Sequence, residues 1–255
     1  MSTLLLRLAA PLQSWGINSN FDTRTTERYP SKSGIVGLLA AALGIRRGEE
    51  EKLSRLCAMR FGVRVDREGT ILRDFHTAHS VKSSYVTYRY YLADAVFLAG
   101  MESADDAFLC ELDEAVHHPA FPLFLGRRAC PPTLPLSLGI RKGVELREAL
   151  VQEPWLAPDW YQKRQKRRGG ETEKLRILMD TAPEDRNGVS VRDVPESFSP
   201  YHRKYGYRGV MEFYASAVTG EENGKPLETE TAPKEAEHDP FLELEGGDVP
   251  EQTGT

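Results

Sequence analysis

Phe121-Pro-Leu-Phe-Leu-Gly-Arg-Arg-Ala-Cys-Pro-Pro-Thr-Leu-Pro-Leu-Ser-Leu-Gly-Ile140 passes from an apolar run through a glycine and two guanidinium groups to a rigid stop. It then alternates Leu134, Leu136, Leu138 and Ile140 on one face, the period-two pattern of a strand. That strand closes a β-α-β-β-α-β order, so the fold turns on this stretch. Gly126 can take a positive φ or let another backbone come close, while Pro131 and Pro132 hold the far end extended. Arg127 and Arg128 therefore project from a held turn, where each planar fork can donate two hydrogen bonds to a phosphate. A solvated surface turn would look the same in isolation. The residues around it favour the phosphate.

Upstream, Ser103-Ala-Asp-Asp106 reads as a capping box, and Phe108, Leu112, Ala115 and Val116 form the buried stripe of a helix. His117 and His118 end it. Adjacent histidines suggest a metal, but cations are favoured at a helix C-terminus anyway and neighbours point apart, so no metal site is expected. Phe61, Val63 and Val65 alternate as a strand, and Asp66-Arg-Glu-Gly69 reads as a hairpin turn into a second strand over Ile71–Phe75. Thr77–Thr87 is a polar arm carrying His79, Lys82 and Tyr85, and Tyr88 to Ala99 reads as one long strand.

Nearer the start, Tyr29–Gly44 predicts a helix capped by Ser31 or Ser33, with Ile35, Leu38, Leu39 and Ala42 buried. Arg24, Arg28 and Lys32 sit at its positive end, where the dipole disfavours them unless an anion lies among them. A helix start with free N–H groups and basic neighbours is a phosphate site. Ala9–Pro30 is a long polar connection in which Trp15 is either a plug into the core or a stacking platform for a base. Thr3–Leu8 alternates as a half-buried first strand.

These pieces predict an α+β protein. An RRM-like or ferredoxin-like core occupies 1–142 with a thumb-like hairpin around 76–89, and its sheet is expected to face the ligand. A strand-rich annex follows at 143–217. Within it, Lys163-Arg-Gln-Lys-Arg-Arg-Gly-Gly170 reads as a mobile basic loop that helps hold RNA electrostatically. From Val218 onward the chain has a net charge of −9 and few large apolar residues, which predicts a disordered acidic tail. Residues 1–217 are left at +4, so the overall −5 does not exclude a polyanionic partner. Three widely spaced cysteines support neither a disulfide framework nor a zinc site, and no apolar run is long enough to span a membrane. A cytoplasmic protein without metal or cofactor is expected.

Five ordered motifs resemble the CasD family of the type I-E CRISPR effector Cascade, within the RAMP superfamily. They are Leu-Arg-Leu-Ala-Ala-Pro-Leu-Gln-Ser-Trp-Gly (6–16), Tyr-Pro-Ser-Lys-Ser-Gly-Ile-Val-Gly-Leu-Leu (29–39), Arg-Asp-Phe-His-Thr (73–77), Tyr-Arg-Tyr-Tyr-Leu-Ala-Asp-Ala (88–95) and Leu-Gly-Arg-Arg-Ala-Cys-Pro (125–131). The resemblance implies a non-catalytic RNA-binding subunit that holds the 5′ handle of a CRISPR RNA. It also implies a backbone subunit and a large PAM-reading subunit as neighbours, with target DNA reached indirectly. Carried onto this chain, Gln13 and Trp15 shape a loop over the handle, and Lys32 and Ser33 meet phosphate beside Arg24 and Arg28. Arg73, His76 and Arg89 flank the thumb, and Gly126, Arg127 and Arg128 close the far side. The alternative is a metal-independent endoribonuclease, as in the type I-C counterpart, with His76 or His79 acting beside Lys82 and Tyr85.

Overall fold

The first strand, β1 (Ser2–Ala9), lies second from one edge of a seven-stranded sheet, between β7 (Val96–Ser103) and β8 (Ser137–Arg141), and is antiparallel to both. In this computed structural model the described residues are 1–17, 23–79, 83–168, 173–182, 188–199 and 201–218. Strand β4 (Arg60–Arg67) pairs with the other side of β7. Strands β1 and β4 thus run parallel with β7 between them, and β7 and β8 run parallel with β1 between them. Two interleaved β-α-β units result, the split plan of a ferredoxin-like core. Helices α1 (Lys32–Ala42) and α2 (Glu50–Cys57) make the first crossover and α3 (Asp106–His117) makes the second. The cap of α3 is Asp105, whose carboxylate accepts from the Phe108 N–H, and not Ser103.

Leu4, Leu6 and Leu8 face α1 and α3, packing with Ile35, Leu39, Leu109 and Leu112. The opposite face is covered as well, so β1 is buried on both sides where the alternation predicted one. Leu5 and Leu98 pack under α4 (Leu146–Gln152), a helix the sequence reading left out. Its seat is a pair of cross-strand glycines, Gly62 opposite Gly100. A Cβ on Gly62 would lie 2.7 Å from Leu150 Cδ1, and one on Gly100 would lie 2.6 Å from Leu146 Cδ1. The face expected to meet a ligand is therefore core, which moves the functional surface off the sheet.

Strands β9 (Lys174–Thr181), β10 (Val189–Ser197) and β11 (Lys204–Ser216) continue the same sheet, in the order β10-β11-β9-β4-β7-β1-β8. One sheet thus runs through both expected segments, without a break at 142. The basic run at 163–168 belongs to α5 (Asp159–Arg168), a helix where a loop was expected; Gly169 and Gly170 lie outside the described residues.

The arm is larger than its sequence suggested. Strands β5 (Thr70–His79) and β6 (Ser84–Ala93) form an antiparallel ribbon in register from Thr70↔Ala93 to His79↔Ser84. The expected hairpin between β4 and β5 does not form, because the turn after Arg67 hands the chain to a second sheet. Asp94 makes the return with φ of 58°, which splits the expected long strand into β6 and β7. Two short strands, β2 (Leu12–Gln13) and β3 (Thr23–Arg24), pair with the free edge of β6.

Candidate nucleic-acid interface

The loop 123–130 is stitched to the segment after β2. Ser14 N–H donates to the Leu125 carbonyl at 3.1 Å, and Leu125 N–H to the Cys130 carbonyl at 2.7 Å. Gly126 has φ of 88°, and a Cβ there would sit 1.7 Å from the Ser14 carbonyl oxygen. Only glycine fits. Immediately after it, the two arginines part company. Arg127 turns inward and donates to the carbonyls of Tyr90 (3.1 Å), Arg24 (2.8 Å) and Thr25 (3.3 Å), its guanidinium 4.7 Å above the Tyr91 ring. It ties the loop to β3 and β6, so its fork is already occupied and the expected phosphate contact is corrected to a structural one. Arg128 is exposed and faces a groove.

Gln13 and Trp15 are corrected in the same way. Trp15 is 1% exposed; its indole N–H donates to Gln13 Oε1 at 3.1 Å, and its ring lies so near Gly34 that a Cβ there would meet it at 2.8 Å. Gln13 in turn donates to the Leu8 and Ala95 carbonyls. The plug reading of Trp15 holds and the stacking platform does not.

The anion expected at the start of α1 exists, but the protein supplies it. Ser31 is the N-cap, accepting from Gly34 N–H, and the Lys32 N–H donates to Asp193 Oδ2 at 2.8 Å. Lys32 Nζ, nearly buried, reaches Asp180 Oδ2 at 2.8 Å and the Met59 carbonyl at 2.7 Å. Arg208 bridges the two carboxylates, donating to Asp193 through Nε (2.6 Å) and to Asp180 through Nη1 (2.5 Å). Burial works to lower the pKa of Arg208, but the hydrogen bonds and charges of Asp193 and Asp180 outweigh it and hold that pKa above the usual arginine value. This network welds α1 to β9, β10 and β11. Lys32 is therefore not available to a phosphate.

What stays open is a groove of about 690 Å³ on the outer side of α1. Its floor is apolar, with Leu38, Ile45, Leu53, Phe121, Phe124 and Phe198, and Arg46, Arg47, Arg128 and Arg203 line it. Glu49 is the acidic residue among them, and its carboxylate is held below the usual range by Lys52 and by the Arg46 N–H. A smaller cavity of about 270 Å³ shares Ser33, Gly34, Gly126, Arg203 and Tyr205 with it and reaches Ser14 and Arg127. Together they make a concave path with cations above an aromatic floor, the combination that holds single-stranded nucleic acid. Among the described residues, Arg47, Arg128 and Arg203 make no ion pair with a carboxylate.

A family described as CRISPR-associated protein (Cas_Cas5) matches residues 3–211. The chain belongs to the Cas5 family. Within it, the CRISPR system Cascade subunit CasD of Escherichia coli (strain K12) is 37% identical over 180 residues, covering 63% of this chain and 80% of that protein. A chain from a CRISPR RNA-guided surveillance complex superposes with a TM-score of 0.67 at 33% identity, covering 84% of this chain and 90% of that one. A crystal structure of a Cas protein gives 0.63 at 39% identity, covering 84% and 95%. This is a CasD-like member of the family.

Arg24, Arg73, His76 and Arg89 lie along the ribbon of this Cas5 chain. Arg24 on β3 pairs with Arg89 on β6, and Arg89 Nε is buried without a hydrogen-bond partner. The Arg73 guanidinium lies 5.1 Å from the Tyr88 ring, and His76 Nε2 meets Asp74 Oδ2 at 2.8 Å. Arg28 is exposed. Arg46, Arg47, Arg203 and Tyr205 were missed by the sequence reading. A signal was present: Arg46 and Arg47 follow the glycine that ends α1, and Tyr201-His-Arg-Lys-Tyr205 interleaves aromatics with cations. Lys82 lies outside the described residues, as does nearly all of the acidic tail. No helix among the described residues is long and apolar enough to cross a membrane.

Proposed function

We propose that this Cas5-family chain is a non-catalytic RNA-binding subunit of a type I-E CRISPR effector, holding the 5′ handle of the CRISPR RNA in the groove beside α1. The observation that carries the proposal is the contrast within the site: Arg127 is consumed by backbone carbonyls while Arg47, Arg128 and Arg203 stand over an aromatic floor without carboxylate partners. Ser33, Gly34 and Gly126 bring backbone close to a strand lying in that groove. Arg24, Arg73 and Arg89 extend the positive surface along the ribbon, and exposed Arg28 adds to the positive charge, toward the neighbouring backbone and PAM-reading subunits, through which target DNA is reached.

The endoribonuclease alternative finds less support. His76 and His79 are three residues apart on one strand and so point to opposite faces, and His76 is engaged by Asp74. Chemical footprinting of guide RNA in the assembled effector tests the binding role: the leading nucleotides are protected with the native chain and exposed with Arg128→Glu and Arg203→Glu together. Metal-independent cutting of repeat RNA that disappears in His79→Ala would reverse the assignment.

A further inference from the structure

Helix α5 carries a row of positive charge that neither the fold nor the groove uses. Its inner side is anchored: Gln162 Nε2 donates to the Trp155 and Ala157 carbonyls (3.0 and 2.8 Å), Gln165 to the Tyr161 hydroxyl, and Tyr161 meets Trp155 edge-on at 6.1 Å. Its outer side presents Trp160, Lys163, Arg164 and Arg167, spaced i, i+3, i+4 and i+7 and all exposed. Among the described residues, Lys163, Arg164, Lys166 and Arg167 make no ion pair, whereas Arg55, Arg60, Arg64, Arg67, Arg141, Arg176 and Arg208 all do. Like charges three and four residues apart repel along a helix. The dipole favours Lys166 and Arg167 in the last turn but gives no reason for Lys163 and Arg164 further in. Trp160 is 53% exposed within the row, with the Arg67 guanidinium 4.9 Å from its ring, so a flat apolar plate is held among the cations.

The shape selects the partner. Single strands are held in concave paths with stacking floors, as in the groove beside α1, whereas α5 is convex and offers one straight charged row. A convex helix meets a B-form duplex, whose major groove, about 12 Å wide, admits it; the deep, narrow major groove of an RNA duplex does not. We infer that α5 is a second nucleic-acid surface, for double-stranded DNA, with Lys163, Arg164 and Arg167 on phosphates and Trp160 against the sugar edge. It is separate from the groove and does not rest on the handle assignment.

The test is fluorescence anisotropy of the full chain on a mixed-sequence DNA duplex, with the single strand and the matching RNA duplex in parallel. Lys163→Gln, Arg164→Gln and Arg167→Gln together should weaken DNA-duplex binding roughly tenfold or more and flatten the slope of log K against log salt by about 2.7, at about 0.9 per lost phosphate contact. Single-strand binding should be unchanged. The charge-conserving set Lys163→Arg, Arg164→Lys and Arg167→Lys should restore duplex binding. Unchanged duplex affinity in the glutamine variant, or an equal loss on the single strand, overturns the inference. So does displacement of the duplex by polyglutamate as effectively as by competitor DNA, which would make α5 a docking face for an acidic protein.

Discussion

Lys32 opens α1 and Arg128 lines the groove beside that helix, and their fates differ. Lys32, with Arg208, is closed inside a cluster with Asp180 and Asp193; Arg128, with Arg46, Arg47 and Arg203, stands over a groove. Arg64 repeats the first pattern on the other face of the sheet, where it is 1% exposed, doubly bonded to Asp66 and donating to the carbonyls of Leu150, Glu153 and Pro154. A cation near a helix start or on a turn implies an anion, and the fold either provides it from a distant strand or leaves it to a partner. In the proposed function it is the second group that meets RNA.

Breaking the interior cluster should have the largest effect. Arg208→Ala leaves Asp180 and Asp193 with Lys32 as their remaining cation, and removing one partner from a buried ionic group costs about 3–5 kcal/mol. For a chain of this size that lowers the melting temperature by on the order of 10 °C. Below its melting range the variant should keep the RNA affinity of the native chain. A variant that melts normally but no longer binds RNA would place Arg208 in the binding surface and dissolve the distinction.

Separating Arg127 from Arg128 sharpens it. Arg127→Ala removes hydrogen bonds to three carbonyls and should destabilise the loop by about 1–3 kcal/mol, read as a lower melting temperature and faster proteolysis near residue 126. Arg128→Ala should leave melting unchanged while flattening the salt dependence of RNA binding by roughly 0.7 per lost phosphate contact. If both substitutions change the salt slope equally and neither moves the melting curve, then the inward turn of Arg127 does not describe the protein in solution.

The element order of the core was legible because each strand and helix carries its own period: Leu4, Leu6 and Leu8 on β1, and Phe108, Leu112 and Val116 on α3. The second cover was not, since Gly62 and Gly100 show their role only once they stand opposite each other beneath α4. The glycine at 126 and the importance of its loop could be read directly, because a position that tolerates no Cβ leaves a local mark. Which neighbouring arginine faced outward could not, for that depends on carbonyls about a hundred residues earlier in the chain. The same limit misplaced Lys32: Asp180 and Asp193 are about 150 residues away in sequence and bonding distance away in space.

The smallest expected effect concerns the acidic segment. Deleting residues 219–255 changes the formal charge from −5 to +4, and by count alone this should strongly favour RNA. Screening limits the gain. At physiological salt the screening length is about 8 Å, so carboxylates farther than that from the groove contribute little to binding there. The truncated chain should therefore melt with the native one and bind handle RNA no more than a few-fold tighter at about 0.15 M salt, with the gap widening as salt is lowered toward about 0.01 M, where the screening length reaches about 30 Å. A large gain that persists at high salt would mean that these carboxylates compete directly for the groove arginines. The division between cations satisfied by the protein and cations left for a partner would then have to be redrawn with Arg128 on the inside.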